Sequence, residues 1–149
     1  MENRVILLVE DNKNDEVLTL RAIRKSYIAN DVVVARDGVE ALDYLFGTGS
    51  YAGRDTRLLP AVVLLDLRLP KIDGLEVLQR MRADVRTALI PVVILSTSDE
   101  QQDILRSYIL GANGYVRKPI DFQQFAEAVK YMGLYWLLVN QSPPVSVGR

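Results

Sequence analysis

The sequence predicts an α/β domain in which five parallel strands form one doubly wound sheet with the order 2-1-3-4-5. Short apolar runs rich in β-branched residues alternate with amphipathic segments of helical period along almost the whole chain. Uninterrupted apolar runs are typical of strands that a parallel sheet buries on both faces. The repeated alternation of strand and helix then favours right-handed crossovers, with helices on both faces of the sheet.

The first half of the chain contains two strands, two helices and one long loop. Residues 5–9 and 32–35 are the apolar runs, and helical patterns follow them over residues 17–25 and 39–46. Residues 47–59 contain three glycines and charges of both signs. The length and composition of this segment predict a surface loop, longer than most connections between helices and strands. Such loops are usually functional or are additions to the surface of the fold.

The second half of the chain repeats the alternation. Strands are predicted over residues 61–65, 91–95 and 114–117. A turn and then a helix over residues 75–83 follow the first of these strands. Ser98 with Gln101 has the spacing of a capping box. It predicts the start of a fourth helix, which we expect to end at Gly111.

Charged residues follow three of the predicted strands at the point where each strand ends. Glu10 and Asp11 follow the first strand, Asp66 follows the third, and Lys118 follows the fifth. The carboxyl ends of parallel strands lie at one edge of a sheet, and the predicted order makes the first and third strands neighbours. We therefore expect three carboxylates and one ammonium group to meet there. Such a group is suited to binding a divalent cation and accepting a phosphoryl group on an aspartate.

Composition limits the classes of function. The formal net charge of −1 argues against a dedicated nucleic-acid surface. The chain contains neither cysteine nor histidine, which excludes disulfides, thiolate metal sites and imidazole chemistry. The N-terminus shows no signal-peptide pattern. The apolar stretch at residues 132–139 is far shorter than the roughly 20 residues that a membrane span requires. We expect a soluble cytoplasmic protein without membrane contact.

Several motifs together resemble the receiver domain of two-component response regulators. They occur in that family's order and spacing, and the resemblance covers roughly residues 4–131. The motifs lie at residues 8–12, 65–70 with 73–74, 95–98, and 111–119. The loop around residues 51–53 and the segment 133–138 are similar to stand-alone regulators found with bacterial phytochromes and related sensor histidine kinases. The resemblance implies the receiver fold, which is flavodoxin-like.

The resemblance also implies a phosphoacceptor and its cofactor. Asp66 would form an aspartyl phosphate with a phosphoryl group from a sensor histidine kinase, of which a bacteriophytochrome is one kind. Mg²⁺ would be held directly by Asp11 and Asp66, by Glu10 largely through water, and by the backbone carbonyl of Arg68. Such a chain catalyses its own phosphotransfer and dephosphorylation but is not a dedicated enzyme.

The resemblance further implies a switch. Lys118 would pair with the phosphoryl oxygens, and Ser96 would donate its hydroxyl to the same group. Ser96 would move toward the phosphoryl group, and Tyr115 would turn inward into the space that it leaves. The face formed by the fourth helix, the fifth strand and the last helix would change as a result. We expect no output domain, so that signalling would pass through contact with other proteins.

Three other functions are open at this stage. A flavodoxin-like electron carrier shares the architecture, but the acidic residues after the first strand would repel a cofactor phosphate. A haloacid-dehalogenase-like phosphatase needs a second acid two residues after Asp66, where this chain has Arg68. The serious rival is a receiver-fold interaction module that acts without phosphorylation, because the motifs alone do not establish turnover.

The C-terminal region predicts a homodimer. A capping pattern starts a last helix over residues 120–139, so that residues 1–139 form the receiver domain and residues 140–149 a disordered tail. After Met132 this helix is apolar on every side, although a helix buries only one face against its own sheet. A second copy of the chain is expected to cover the other face, since two-fold contacts are the commonest closed assembly. The expected interface residues are Tyr135, Trp136 and Leu138.

Overall fold

The computed structural model describes residues 4–25, 30–118, 123–124, 127–128 and 130–131 of the chain. Within these residues, five parallel strands form one sheet with the order β2-β1-β3-β4-β5, which confirms the predicted topology. The strands are β1 (Ile6–Val9), β2 (Val32–Ala35), β3 (Val62–Leu65), β4 (Val92–Ser96) and β5 (Gly114–Arg117). The helices are α1 (Lys13–Lys25), α2 (Gly38–Phe46), α3 (Gly74–Ala83) and α4 (Gln101–Ile109), with a short 3₁₀ turn at Gly49–Tyr51.

The central strands are buried on both faces. Leu7 and Val9 of β1 pack in a cluster with side chains of α2 and α3. Ile6 and Leu8, which point the other way, pack against Ile23 of α1 and its neighbours. Successive strand residues enter opposite layers because side chains alternate across a sheet. Burial of each such Leu or Ile contributes roughly 1.5–3 kcal/mol, so the two layers hold the strand ends in fixed positions.

Aspartate caps fix the starts of α2 and α3. The Oδ1 atom of Asp37 accepts the backbone N–H of Glu40 at 2.7 Å. Asp73 accepts the backbone N–H of Glu76 in the same way at 3.0 Å. Each cap satisfies a first-turn N–H that has no partner within its own helix. Both helices therefore begin at the carboxyl edge of the sheet.

The capping box predicted at Ser98 is wrong. α4 begins at Gln101, and Glu100 occupies the cap position. The Ser98 hydroxyl accepts the N–H of Glu100 at 3.2 Å and donates to the carboxylate of Asp103 at 2.6 Å. Ser98 thus stabilises the turn before the helix instead of capping the helix itself. The helix ends at Ile109, slightly before the predicted end.

The long loop between α2 and β3 is held on α2 by Arg54. Its guanidinium lies 4.1 Å from the centre of the Tyr44 ring, and its Nε donates to the Tyr44 carbonyl at 2.6 Å. Its Nη1 donates to the carbonyl of Leu58 at 3.1 Å. Tyr51 packs edge-on against Tyr44, with ring centres 5.0 Å apart. The predicted surface loop is therefore an ordered cover for α2.

Most of the predicted C-terminal helix lies outside the described residues. Residues 123–124, 127–128 and 130–131 are helical. The tail at residues 140–149 and the expected interface residues lie outside the described part, so the domain bounds and the dimer stay predictions. Those interface residues are Tyr135, Trp136 and Leu138. None of the helices described here combines the length and the apolar character that crossing a bilayer requires.

Candidate functional site

The carboxyl edge of the sheet brings together three acidic side chains from distant parts of the sequence. Glu10 follows β1 and Asp66 follows β3, and these strands are neighbours with Val9 opposite Leu65. The N–H of Asp66 donates to the carbonyl of Val9 at 3.1 Å, which extends the pairing by one residue. One carboxylate oxygen from each of Glu10, Asp11 and Asp66 lies within 4.8 Å of the others. We call these three residues the carboxylate cluster.

The loop after Asp66 folds back tightly on the strand end because residue 74 is a glycine. A Cβ atom on Gly74 would lie 2.1 Å from the backbone oxygen of Asp66, well inside the contact distance of the two atoms. The N–H of Gly74 also donates to the carbonyl of Leu67 at 2.9 Å. The first turn of α3 therefore presses directly on the Asp66 backbone, and the side chain of Asp66 starts from a fixed point.

Burial makes negative charge costly in the carboxylate cluster. Glu10 is 1% exposed and Asp66 is 9% exposed, whereas Asp11 faces solvent. Burial raises the pKa of Glu10 to about 7. The hydrogen bond from Lys118 opposes this rise, and the negative charge of Asp66 adds to it. The cluster therefore favours any positive charge that lies close to it.

Lys118 supplies such a charge from the end of β5. Its side chain is 7% exposed, and its Nζ donates to Glu10 at 2.5 Å, to Asp15 at 2.9 Å and to Asp66 at 3.5 Å. Its backbone N–H donates to the carbonyl of Ser96 at 2.7 Å, which fixes where the side chain starts. Burial opposes the charged form of Lys118, but the hydrogen bond to Glu10 and the charge of Asp66 outweigh it and raise the pKa of Lys118.

The chemistry of the cluster fits a hard divalent cation. Carboxylate oxygens are the protein ligands that Mg²⁺ and Mn²⁺ prefer, and three of them lie close together here. Arg68 lies at the edge of the cluster, because its N–H is 3.4 Å from Oδ1 of Asp66. A ligand role for the Arg68 carbonyl stays a prediction. The guanidinium of Arg68 points elsewhere and lies 3.5 Å from Asp103.

The predicted switch residues are connected through one intermediate residue, Ser98. Ser96 is 1% exposed, and its hydroxyl oxygen accepts the N–H of Ser98 at 3.1 Å. The hydroxyl of Tyr115 donates to the carbonyl of Ser98 at 2.9 Å. Tyr115 is half-buried. A displacement of Ser96 would therefore act on the residue that holds the Tyr115 ring.

Sequence reasoning missed two carboxylates in this region. Asp15 bonds to Lys118, and Asp103 bonds to both Ser98 and Arg68. Asp15 lies in the first turn of α1, and this helix begins three residues after Glu10. The short distance along the chain from Asp15 to Glu10 and Asp11 was a usable signal. Asp103 carries no comparable signal, because its partners come from two separate loops.

The sequence matches a known domain family over most of its length. The model of the response regulator receiver domain matches residues 6–130. The chain belongs to this family. The match confirms the resemblance on which the site was assigned, and the receiver topology agrees with the observed strand order.

Known proteins similar to this receiver include phytochrome response regulators. The phosphorylated cyanobacterial phytochrome response regulator RcpA is 41% identical with a TM-score of 0.88, over 96% of this chain and 100% of RcpA. The bacteriophytochrome response regulator AtBRR is 56% identical with a TM-score of 0.77, over 95% of this chain and 100% of AtBRR. Response regulator Rcp1 of Synechocystis sp. is 37% identical over 90% of this chain and 89% of Rcp1. A crystal structure of Rcp1 is of its Mn²⁺-bound form; it is 35% identical, with a TM-score of 0.85, over 95% of this chain and 99% of that chain.

Proposed function

We propose that this receiver accepts a phosphoryl group from a sensor histidine kinase onto Asp66 in a Mg²⁺-dependent reaction. The supporting observation is the environment of Asp66. Its carboxylate ends a central strand, is almost fully buried, and lies beside two other carboxylates with Lys118 Nζ at 3.5 Å. A carboxylate that served only to cap a helix would not need a buried ammonium group and two further acids around it.

The proposed step transfers one phosphoryl group between two side chains. An oxygen of Asp66 attacks phosphorus, an O–P bond forms, and the P–N bond to the kinase histidine breaks with its electron pair going to the imidazole. Such transfers depend on positioning and on charge compensation more than on acid–base chemistry. Lys118 would exchange a hydrogen bond to Glu10 or Asp66 for one to a phosphoryl oxygen. Ser96 would donate its hydroxyl to another.

The residues that would hold Mg²⁺ are Glu10, Asp11, Asp66 and the backbone carbonyl of Arg68. When bound, the ion would lower the net charge of the cluster and attract the phosphoryl oxygens. The Mn²⁺-bound form of the similar protein Rcp1 supports a divalent ion as a ligand of this receiver. The buried position of Glu10 supports it independently, because burial disfavours the anionic form that a cation would stabilise.

The proposed output is a shift between two conformations, not catalysis on an external substrate. Movement of Ser96 toward the phosphoryl group would pull on Ser98, and Tyr115 would turn inward as its bond to the Ser98 carbonyl changes. The names of RcpA and AtBRR support a phytochrome-type sensor kinase as the partner. Such kinases obtain their phosphoryl group from ATP, so we place the partnership in the cytoplasm.

A small phosphodonor tests the proposed function without the kinase. Incubation with acetyl phosphate and Mg²⁺ should add one phosphoryl mass to the intact chain, and EDTA should prevent the addition. The measurement is intact-mass spectrometry of the full chain before and after incubation. If no phosphoryl mass appears with acetyl phosphate or with a purified histidine kinase, the result would favour the alternative hypothesis. In that hypothesis the receiver fold is an interaction module that acts without phosphorylation.

Loss of one carboxylate should weaken the metal site. We expect Asp11→Asn to lower the affinity for Mn²⁺ and Mg²⁺ by about 10- to 100-fold, because a neutral amide oxygen replaces an anionic ligand. Isothermal titration calorimetry measures the effect. Asp31→Asn is the matched control, since it makes the same change at an exposed acid that precedes β2 at the opposite edge of the sheet. Equal affinities for the two variants would contradict the assignment of Asp11.

Removal of the C-terminal segment should abolish the proposed homodimer. The sequence supports a dimer because Tyr135, Trp136 and Leu138 belong to an apolar run that one domain cannot cover fully. On α4, Leu105 and Ile109 are 60% and 71% exposed, which leaves further apolar surface available to a partner. Sedimentation velocity of the full chain and of a chain ending at Lys130 should give a dimer and a monomer. A full chain that stays monomeric at micromolar concentration would remove the hypothesis.

A further inference from the structure

A row of polar contacts joins the loop after Asp66 to the first turn of α4. Nη2 of Arg68 lies 3.5 Å from Oδ2 of Asp103. The same oxygen accepts the hydroxyl of Ser98 at 2.6 Å. Asp103 therefore binds one residue from the loop after β3 and one from the loop after β4. These contacts lie apart from the bonds that Lys118 makes in the carboxylate cluster.

The two partners in the Arg68–Asp103 pair are held very differently. The side chain of Asp103 is 16% exposed and fixed by Ser98, and it lies in the first turn of a helix, where a negative charge is favourable. The side chain of Arg68 is 75% exposed, and its contact with Asp103 is long. Exposed ion pairs of this kind are weak, because water screens the charges and the long side chain loses freedom. Arg68 is thus easily drawn to a stronger acceptor.

A stronger acceptor would arise next to Arg68 on phosphorylation of Asp66. The backbone N–H of Arg68 is 3.4 Å from Oδ1 of Asp66, so its side chain starts beside the acceptor carboxylate. A phosphoryl group carries more negative charge than one carboxylate and has several acceptor oxygens. A guanidinium pairs with such a group through two parallel hydrogen bonds, which are stronger than one long contact. Competition for Arg68 would therefore favour the phosphoryl group.

We propose that Asp103 is a positioning residue that holds Arg68 away from Asp66 until Asp66 is phosphorylated. Transfer of Arg68 to the phosphoryl oxygens then breaks the tie between the loop after β3 and α4. The proposal rests on the proposed function of Asp66 and adds a second connection to the switch. Asp103 keeps its bond to Ser98, whose carbonyl accepts the Tyr115 hydroxyl and whose N–H donates to Ser96. Release of Arg68 would thus free α4 to move together with the two switch residues.

A double-mutant cycle on beryllofluoride binding tests the competition. Beryllofluoride with Mg²⁺ imitates the phosphoryl group, and calorimetry of the full chain measures its affinity. Asp103→Asn should tighten binding by about 1.4- to 5-fold, the range expected for release from one exposed ion pair. Arg68→Gln should weaken binding. In the Arg68→Gln background, Asp103→Asn should have no further effect, because the residue that it restrains is absent.

A neighbouring ion pair provides the matched control. Asp99 precedes α4 and pairs with Arg117 at 3.7 Å, with both side chains largely exposed. Asp99→Asn removes the same charge four residues before Asp103 without touching Arg68, so it should leave beryllofluoride affinity unchanged. An equal tightening by Asp99→Asn and Asp103→Asn would show a general charge effect and overturn the proposal. So would an Asp103→Asn effect that persists in the Arg68→Gln background.

Hydrogen exchange gives a second readout that needs neither metal nor anion. In EDTA, Arg68→Gln and Asp103→Asn should both speed amide exchange over residues 104–109, whose N–H groups bond within the helix from Ile104 onward, whereas Asp99→Asn should not. Unchanged exchange in both variants would overturn the tie to α4. The outcomes distinguish this proposal from the proposed function of Asp66. A wild-type chain that binds no beryllofluoride overturns the phosphoacceptor function and this proposal together, whereas normal binding without the Arg68 dependence overturns this proposal alone.

Discussion

The Asp66→Asn variant is expected to take up no phosphoryl group from acetyl phosphate and Mg²⁺ under conditions in which the wild-type chain takes up one. Asparagine keeps the shape of the side chain and its place at the end of β3, but its amide oxygen is neutral and a poor nucleophile. The other acids of the cluster are badly placed to substitute. Glu10 is 1% exposed and bonded to Lys118, and Asp11 faces solvent.

Two measurements locate the phosphoryl group on a carboxylate of this residue. The wild-type mass increase should disappear after treatment with hydroxylamine, which cleaves acyl phosphates. Asp31→Asn serves as the control and should be labelled like the wild type, since residue 31 lies at the amino-terminal ends of the strands, away from Asp66. Circular dichroism confirms that both variants are folded. Equal labelling of Asp66→Asn and Asp31→Asn would sink the assignment of Asp66.

The fold was predictable because its three central strands, β1, β3 and β4, are buried on both faces. A run such as residues 62–65 has no polar position, which distinguishes it from a strand at a wet surface. Topology followed from alternation, because crossovers between parallel strands are right-handed and short connections limit the choices. Asp37 and Asp73 cap their helices through local bonds to Glu40 and Glu76, although neither cap was predicted. Ser98 failed as a cap because its hydroxyl binds Asp103 and the turn at Glu100 instead.

The candidate site was predictable only as far as backbone position determines it. Strand ends place Glu10, Asp66 and Lys118 at one edge, and no side-chain information is needed for that step. The partner that Lys118 bonds to depends on three-dimensional distances. Its bond to Asp15 depends on the position of the first turn of α1 beside the carboxyl edge of the sheet. The Arg68–Asp103 pair depends equally on the packing of α4. Pairing between long side chains is thus the part that the sequence does not reveal.

Lys118→Met is expected to destabilise the metal-free receiver strongly and to make its stability depend on Mg²⁺. Methionine fills a similar volume but leaves Glu10 and Asp66 buried without the ammonium group that compensates them. Loss of one partner from a buried ion pair is strongly destabilising. We expect a fall of about 3 kcal/mol in the free energy of unfolding, the lower end of the usual range, because Glu10 can take up a proton.

Mg²⁺ should restore much of this loss, because the ion supplies positive charge where Lys118 no longer does. Binding to the folded state alone stabilises it by mass action, and the more negative cluster of the variant should bind the ion more tightly. Urea unfolding in EDTA and in excess Mg²⁺ measures both effects. Lys71→Met is the matched control: Lys71 pairs with Asp37 at 3.3 Å but is 65% exposed, so its loss should cost less than about 1 kcal/mol and be indifferent to Mg²⁺. If Lys118→Met and Lys71→Met unfolded alike in EDTA, or if Mg²⁺ left the gap between Lys118→Met and the wild type unchanged, the charge balance described for this site would be wrong.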